Sequence, residues 1–177
     1  LYGGEGNDTL DSGSGDGELD GGNGSDTYRF GRSNTGVNTI SDQRDATPGK
    51  IDRIAIAADV SPADLVVRID PNTSLTDVVL TIKGSPGSMR IPYFMLESGE
   101  PPLIDQIVFF GGEIWDVATI KAKANTPTAG NDLLRGGGED NVFDGLAGND
   151  QLWGEGGEDT LLGGLGDDDL YGGLGDD

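Results

Sequence analysis

The sequence predicts an all-β fold, in which two short parallel β-roll blocks are separated by a β-rich capping segment. Three observations carry that expectation. Both ends of the 177-residue chain repeat every nine residues, with Gly, Asp and one apolar residue in a fixed frame. Those ends are acidic and Gly-rich: 1–26 and 130–177 hold 24 of the 32 glycines and −19 of the net charge of −21. The middle, 27–129, has twelve acidic and ten basic residues and carries most of the β-branched and aromatic side chains.

The first block is expected over 1–42. Gly3 to Asp11 and Gly21 to Arg29 fit the frame. Gly3, Gly4 and Gly6, then Gly21, Gly22 and Gly24, fill positions one, two and four. Asp8 and Asp26 fill position six, and Leu10 and Tyr28 position eight. Between them, Ser12 to Asp20 keeps Leu19 but has Gly17 where Asp belongs. Asn38 with Ile40 reads as one more, degenerate repeat after a short insertion.

The middle segment, 43–124, reads as strands punctuated by turns. Ile51, Ile54 and Ile56 suggest one strand. Leu65–Ile69 and Val78–Ile82 give two more, joined through Pro71-Asn72. Ser88–Ile91 is short. Leu103 to Phe110, Gly111-Gly112 and Glu113-Ile114-Trp115 form a hairpin signal, and 117–123 a short helix. Phe94, Met95, Leu96, Phe109, Phe110 and Trp115 are the expected apolar cluster, packed as a cap on the exposed end of the first roll. Residues 125–129 form a linker.

The second block, 130–177, keeps the frame best. Position six reads Asp132, Asn141, Asp150, Asp159, Asp168 and Asp177. Position eight reads Leu134, Phe143, Leu152, Leu161 and Leu170. The glycines are Gly130, Gly136 and Gly137, Gly145 and Gly148, Gly154 and Gly156, Gly163, Gly164 and Gly166, and Gly172, Gly173 and Gly175. The chain opens and closes within the nine-residue pattern, so it reads as a piece of a longer repeat array.

A nine-residue period has a direct physical reading. Six Gly-rich residues turn tightly and point carbonyls inward, because Gly tolerates positive φ. Three residues of strand follow, with one apolar side chain facing a core. Two repeats make one coil, so turns eighteen residues apart stack on the same edge. Each turn then offers a carboxylate and backbone oxygens to a shared cage of about six ligands, which suits Ca²⁺ and is loose for Mg²⁺. One buried apolar residue per repeat is too little to order the chain, so the metal must supply most of the folding free energy. Intact pairs are Asp8–Asp26, Asp132–Asp150, Asp150–Asp168 and Asp159–Asp177. Asn141–Asp159 is weakened, and the Gly17 turn facing Asn38 is expected to hold calcium poorly or not at all.

Composition removes most other chemistries. With no Cys there is no disulfide, thiol nucleophile or zinc-thiolate site, and with no His no imidazole site or Ser-His-Asp catalysis. A pI near 4.1 disfavours nucleic acid and anionic lipid. No apolar run is long enough to span a bilayer. Gly13-Ser14-Gly15 lacks the partners of a nucleophile loop. Asp16-x-Glu18-x-Asp20-Gly21 faintly follows an EF-hand loop, but its twelfth position is Thr27, so the match is coincidental. Trp115, Tyr93 and Phe94 read as packing residues. Trp153 and Tyr171, at position nine, point away from the core.

The registered repeats resemble the repeats-in-toxin (RTX) nonapeptide G-G-x-G-x-D-x-U-x, a calcium-binding β-helix repeat. The middle, through stretches such as Asp26–Gly31, Val79–Gly84 and Ile104–Phe109, resembles the segment that follows the repeats in large RTX proteins. The resemblance implies Ca²⁺ as the ligand and export by type I secretion machinery. It also implies an extracellular location, with the chain folding only outside the cell. A module of a toxin-like parent, not itself an enzyme, is the leading expectation. An adhesin spacer, or the support domain of a secreted lipase, protease or epimerase, are the alternatives. End-to-end contact between roll blocks is a further expected interaction.

Overall fold

The structure is a computed structural model that describes residues 1–42, 47–73, 75–96 and 101–177. The chain divides into two compact units, Leu1–Arg68 with Thr76–Lys123 and Ile69–Leu75 with Ala124–Asp177. The expected boundary at 42/43 adjoins residues 43–46, which lie outside the described residues.

The first unit begins as a roll. Strands β1 (Tyr2–Glu5), β2 (Thr9–Leu10), β3 (Gly17–Asn23), β4 (Thr27–Phe30) and β5 (Val37–Ile40) alternate between two sheets. Tyr2 pairs with Asp20 and Thr9 with Thr27, both parallel and eighteen residues apart. The stack does not stop at residue 42. Strand β6 (Arg53–Ile56) pairs parallel with β4, and of β7 (Leu65–Ile69), β8 (Val78–Ile82) and β9 (Ser88–Ile91), β9 pairs parallel with β5. Strand β10 (Gln106–Phe109) continues parallel on β6. In each sheet the parallel stack ends where the pairing turns antiparallel, β8 on β9, with β7 beyond it at the edge, and β11 (Ile114–Asp116) on β10.

One apolar row explains this continuity. Leu10, Tyr28, Ile54 and Ile107 are register partners across β2, β4, β6 and β10, and all four are buried. Period-two burial in β7, β8, β9 and β10 supplies Val67, Leu80, Met89 and Phe109 to the same core. Phe94, Met95 and Trp115 join it, but Leu96 and Phe110 do not. Phe110, 80% exposed, follows inward-facing Phe109, so strand alternation turns it out as the chain enters the Gly111-Gly112 turn. Helix α1 (Val117–Ala124) is the one α-helix among the described residues, and it buries Ile120. It is not long and apolar enough to cross a membrane.

In the second unit, β12 (Leu133–Arg135), β13 (Val142–Asp144), β14 (Gln151–Gly156), β15 (Thr160–Leu162) and β16 (Asp169–Leu174) again alternate between two parallel sheets, ordered β12-β14-β16 and β13-β15. The register steps between these strands are eighteen residues, as in Leu134 with Leu152 and Leu152 with Leu170. Leu134 and Leu152 are buried, whereas Leu170, on the outer strand, is 46% exposed. Trp153 and Tyr171 stack outside the core with ring centroids 4.0 Å apart. The whole is all-β, and its repeat blocks are parallel β-rolls.

Candidate metal centre

The turn carboxylates are positioned by the stack. Five position-six residues accept a hydrogen bond at one side-chain oxygen from the backbone N–H of the position-six residue eighteen before them. Asp150 accepts from Asp132 at 2.8 Å, Asp168 from Asp150 at 2.9 Å, Asp159 from Asn141 at 2.8 Å and Asp177 from Asp159 at 3.0 Å. In the first unit Asp26 accepts from Asp8 at 2.8 Å. One oxygen, Oδ1, is therefore spent on orienting the side chain. The other, Oδ2, points back into its own turn.

That second oxygen is the chemically active one. Oδ2 of Asp8, Asp26, Asp150 and Asp159 is buried with no hydrogen-bond partner among the described residues. A side chain at position one would strike it: a Cβ on Gly145 meets Asp150 Oδ2 and the Gly163 carbonyl, and one on Gly154 meets Asp159 Oδ2 and the Gly172 carbonyl. Glycine at position one thus leaves a space lined by a carboxylate and a carbonyl from the next coil. Buried oxygens without donors fit a hard cation, which would be held by position-six carboxylates and such carbonyls. When bound, the ion supplies the positive charge that these carboxylates lack.

Not every predicted ligand sits in the same setting. The carboxylate of Asp132 accepts from Thr128, through its backbone N–H and its hydroxyl, and Thr128 Oγ1 accepts from the Gly130 N–H. Residues of the expected linker therefore close the first turn of the second block. Asn141 Oδ1 accepts from the Gly137 N–H. Gly17 pairs with Asn38, whose Oδ1 is buried without a hydrogen-bond partner, while Asp16 accepts from the Val37 N–H at 2.8 Å. The turn at Gly17 thus has an amide oxygen where intact turns bring two carboxylates.

Two features were missed at sequence level. A second ladder runs through position five in the opposite direction. Asn7 accepts from the Ser25 N–H, Asn131 from Asn149, Asp140 from Glu158 and Asn149 from Asp167, each eighteen residues later. The signal was the recurring Asn before Asp in Asn7-Asp8, Asn131-Asp132 and Asn149-Asp150. The position-six ladder also leaves the repeats. Asp52 accepts from the Asp26 N–H at 2.8 Å, and Asp105 from the Asp52 N–H at 2.8 Å. Asp52-Arg53-Ile54 and Asp105-Gln106-Ile107 keep the Asp-x-apolar spacing of Asp26-Thr27-Tyr28.

Electrostatics follow from this stacking. Burial holds the Asp26 carboxyl above its ordinary value. The Asp8 N–H opposes that rise, and the charges of Asp52, Asp42 and Asp8 add to it. Burial likewise raises Asp105. A column of carboxylates taken out of water calls for a counter-cation.

Comparison with known families agrees with this geometry. Residues 1–28, 127–161 and 144–177 match the RTX calcium-binding nonapeptide repeat (4 copies). Residues 77–119 match the haemolysin-type calcium binding protein related domain. Together the matches span well over half of the chain. No curated protein matches the chain. The chain thus carries two blocks of RTX calcium-binding nonapeptide repeats, one on each side in sequence of a haemolysin-type calcium binding protein related domain.

Proposed function

We propose that this calcium-binding module is exported through type I secretion machinery as part of a larger toxin-like protein, and that it folds when it meets external Ca²⁺. The observation that carries the reading is the column of buried, donorless Asp Oδ2 atoms inside segments of high negative charge. Without cations, 130–177 holds thirteen acidic residues against one basic residue and buries only Leu133, Leu134 and Leu152 as large apolar side chains. Such a chain stays expanded. With Ca²⁺, each ion joins oxygens of two stacked turns and the roll closes. The module itself is not a catalyst in this reading; the lack of His and Cys supports that.

The test is a calcium titration of the full chain followed by circular dichroism and amide hydrogen exchange. Chelation is expected to abolish protection in 130–177 and to leave β6 to β10 protected. The transition is expected to be cooperative, with a midpoint on the order of 10⁻⁴–10⁻³ M as for extracellular calcium modules. A β spectrum and full protection that survive excess chelator would sink the proposal.

A further inference from the structure

The first roll carries a turn unlike the repeats. Below the Gly21–Asp26 turn, the next coil presents two carboxylates. Asp52 stacks under Asp26 at the position-six place. Asp42 stacks under Gly22, whose N–H it accepts at 3.0 Å, so it stands where the repeats carry glycine. Asp26 and Asp52 are 0% exposed and Asp42 is 7% exposed. One oxygen from each of the three lies within 4.8 Å of the others. The Oδ2 atoms of Asp26 and Asp42 are buried without a hydrogen-bond partner among the described residues. Tyr28 has its hydroxyl against the Asp42 carboxylate and accepts from the Gly21 N–H.

We propose that Asp26, Asp42 and Asp52 form a divalent-cation site, filled by Ca²⁺, that lies partly outside the nonapeptide repeats. It rests on the reading above that the buried carboxylate column takes hard cations. Three carboxylate oxygens within 4.8 Å of one another can share one ion, and an all-oxygen ligand set is the kind that Ca²⁺ takes. Charge supports a dication. Lys50 Nζ lies 2.9 Å from Asp52 Oδ2, and its side chain is only 8% exposed. Three carboxylates against one ammonium leave two negative charges, which one Ca²⁺ balances. Lys50 acts as a tethered partial counter-charge that holds Asp52 while Asp26 and Asp42 keep an oxygen each for the ion. In the intact repeats each coil gives one carboxylate at this edge; here Asp52 takes the position-six place and Asp42 adds a second carboxylate.

The experiment is a crystal structure of the full chain grown in CaCl₂, with anomalous differences used to locate calcium, together with a count of bound calcium by native mass spectrometry. The expected result is an anomalous peak among the three carboxylates and the loss of one bound ion per chain in Asp42→Asn, which keeps the Oδ1 acceptor for Gly22. Lys50→Gln is expected to keep that ion and to lower the calcium concentration that half-fills the site. Peaks beside Asp150 and Asp159 with none among Asp26, Asp42 and Asp52 would overturn this site alone and leave Lys50 as its only cation. An unchanged ion count in Asp42→Asn would overturn it as well. No peak anywhere would overturn this site and the calcium-folding reading together. Because the crystal result needs only the wild-type chain, misfolding of a variant leaves the proposal testable.

Discussion

At the scale of single residues, position two of the repeats is where the chain is strained. Most repeats place glycine there with positive φ, such as Gly164 at 98° and Gly173 at 117°. Leu146 and Glu155 occupy the same position with φ of 71° and 77°. A left-handed backbone costs an ordinary residue about 1–2 kcal/mol, partly offset by the entropy that glycine would lose on folding. Leu146→Gly is therefore expected to stabilise the calcium-loaded second unit by up to about 1 kcal/mol. Gly164→Ala adds a Cβ that runs into the Leu146 carbonyl, and it should cost about 2 kcal/mol or more. Thermal melts in saturating Ca²⁺ compare the two; a Gly164→Ala variant as stable as wild type would contradict the turn geometry. Asp150 and Asp132 make a second pair. Asp150 stacks on carboxylates on both sides, whereas Asp132 is held by Thr128. Asp150→Ala should raise the calcium midpoint clearly more than Asp132→Ala, as read by Trp153 fluorescence. Equal midpoints would argue against shared ions between stacked turns.

At the scale of elements, each ending has a local chemical cause. Helix α1 follows directly on β11, and Asp116 Oδ1 accepts from the Thr119 N–H at 2.8 Å, an N-cap that satisfies a free donor of the first turn. The Thr119 side chain and N–H hold the Asp116 carboxyl below its ordinary value. At the other end, Lys123 Nζ lies 4.2 Å from the centroid of the Trp115 ring. Asp116→Ala is expected to cost about 1 kcal/mol and to reduce amide protection in 117–124 while β10 keeps its own. Protection in the helix that equals wild type would show that packing of Ile120 alone fixes it. This helix and the β10–β11 hairpin were legible in the sequence because turn glycines and strand alternation act locally. Phe110 and Leu96 were not: an apolar residue beside a turn looks like core until the direction of its neighbour is known.

At the scale of the whole molecule, the two repeat blocks and their carboxylate frame could be read from a constant period. The continuation of the first roll could not. Register steps there grow from eighteen residues to twenty-six between Thr27 and Arg53, and to fifty-three between Arg53 and Gln106, where β7 and β8 are inserted as well as β9. A fixed-period search loses the column just where Asp52 and Asp105 extend it. That extension has a pH signature in the metal-free chain. Asp26 and Asp105 are raised by burial from 3.8, so the folded form binds their protons more tightly than the unfolded form does. Their contribution is then fully present below 3.8 and is lost as pH rises through the raised folded values. In excess chelator, the first unit should melt at a lower temperature near neutral pH than at about pH 4. With Ca²⁺ saturating, the order should invert, because protons then compete with the metal for the same oxygens. A chelated melting temperature that climbs with pH would exclude the buried column as the source.

The paired side-chain ladders of positions five and six bear on a different problem. Coils built from near-identical turns could stack one coil out of step at little cost, since glycine-rich strands specify register weakly. The irregular residues act as the keying. Thr128 plugs the Asp132 turn, Arg135 meets Glu155 across β12 and β14, and Trp153 finds Tyr171 rather than another position-nine side chain. A more perfect repeat would lose these marks, so the departures from consensus are what let one alignment win over its neighbours.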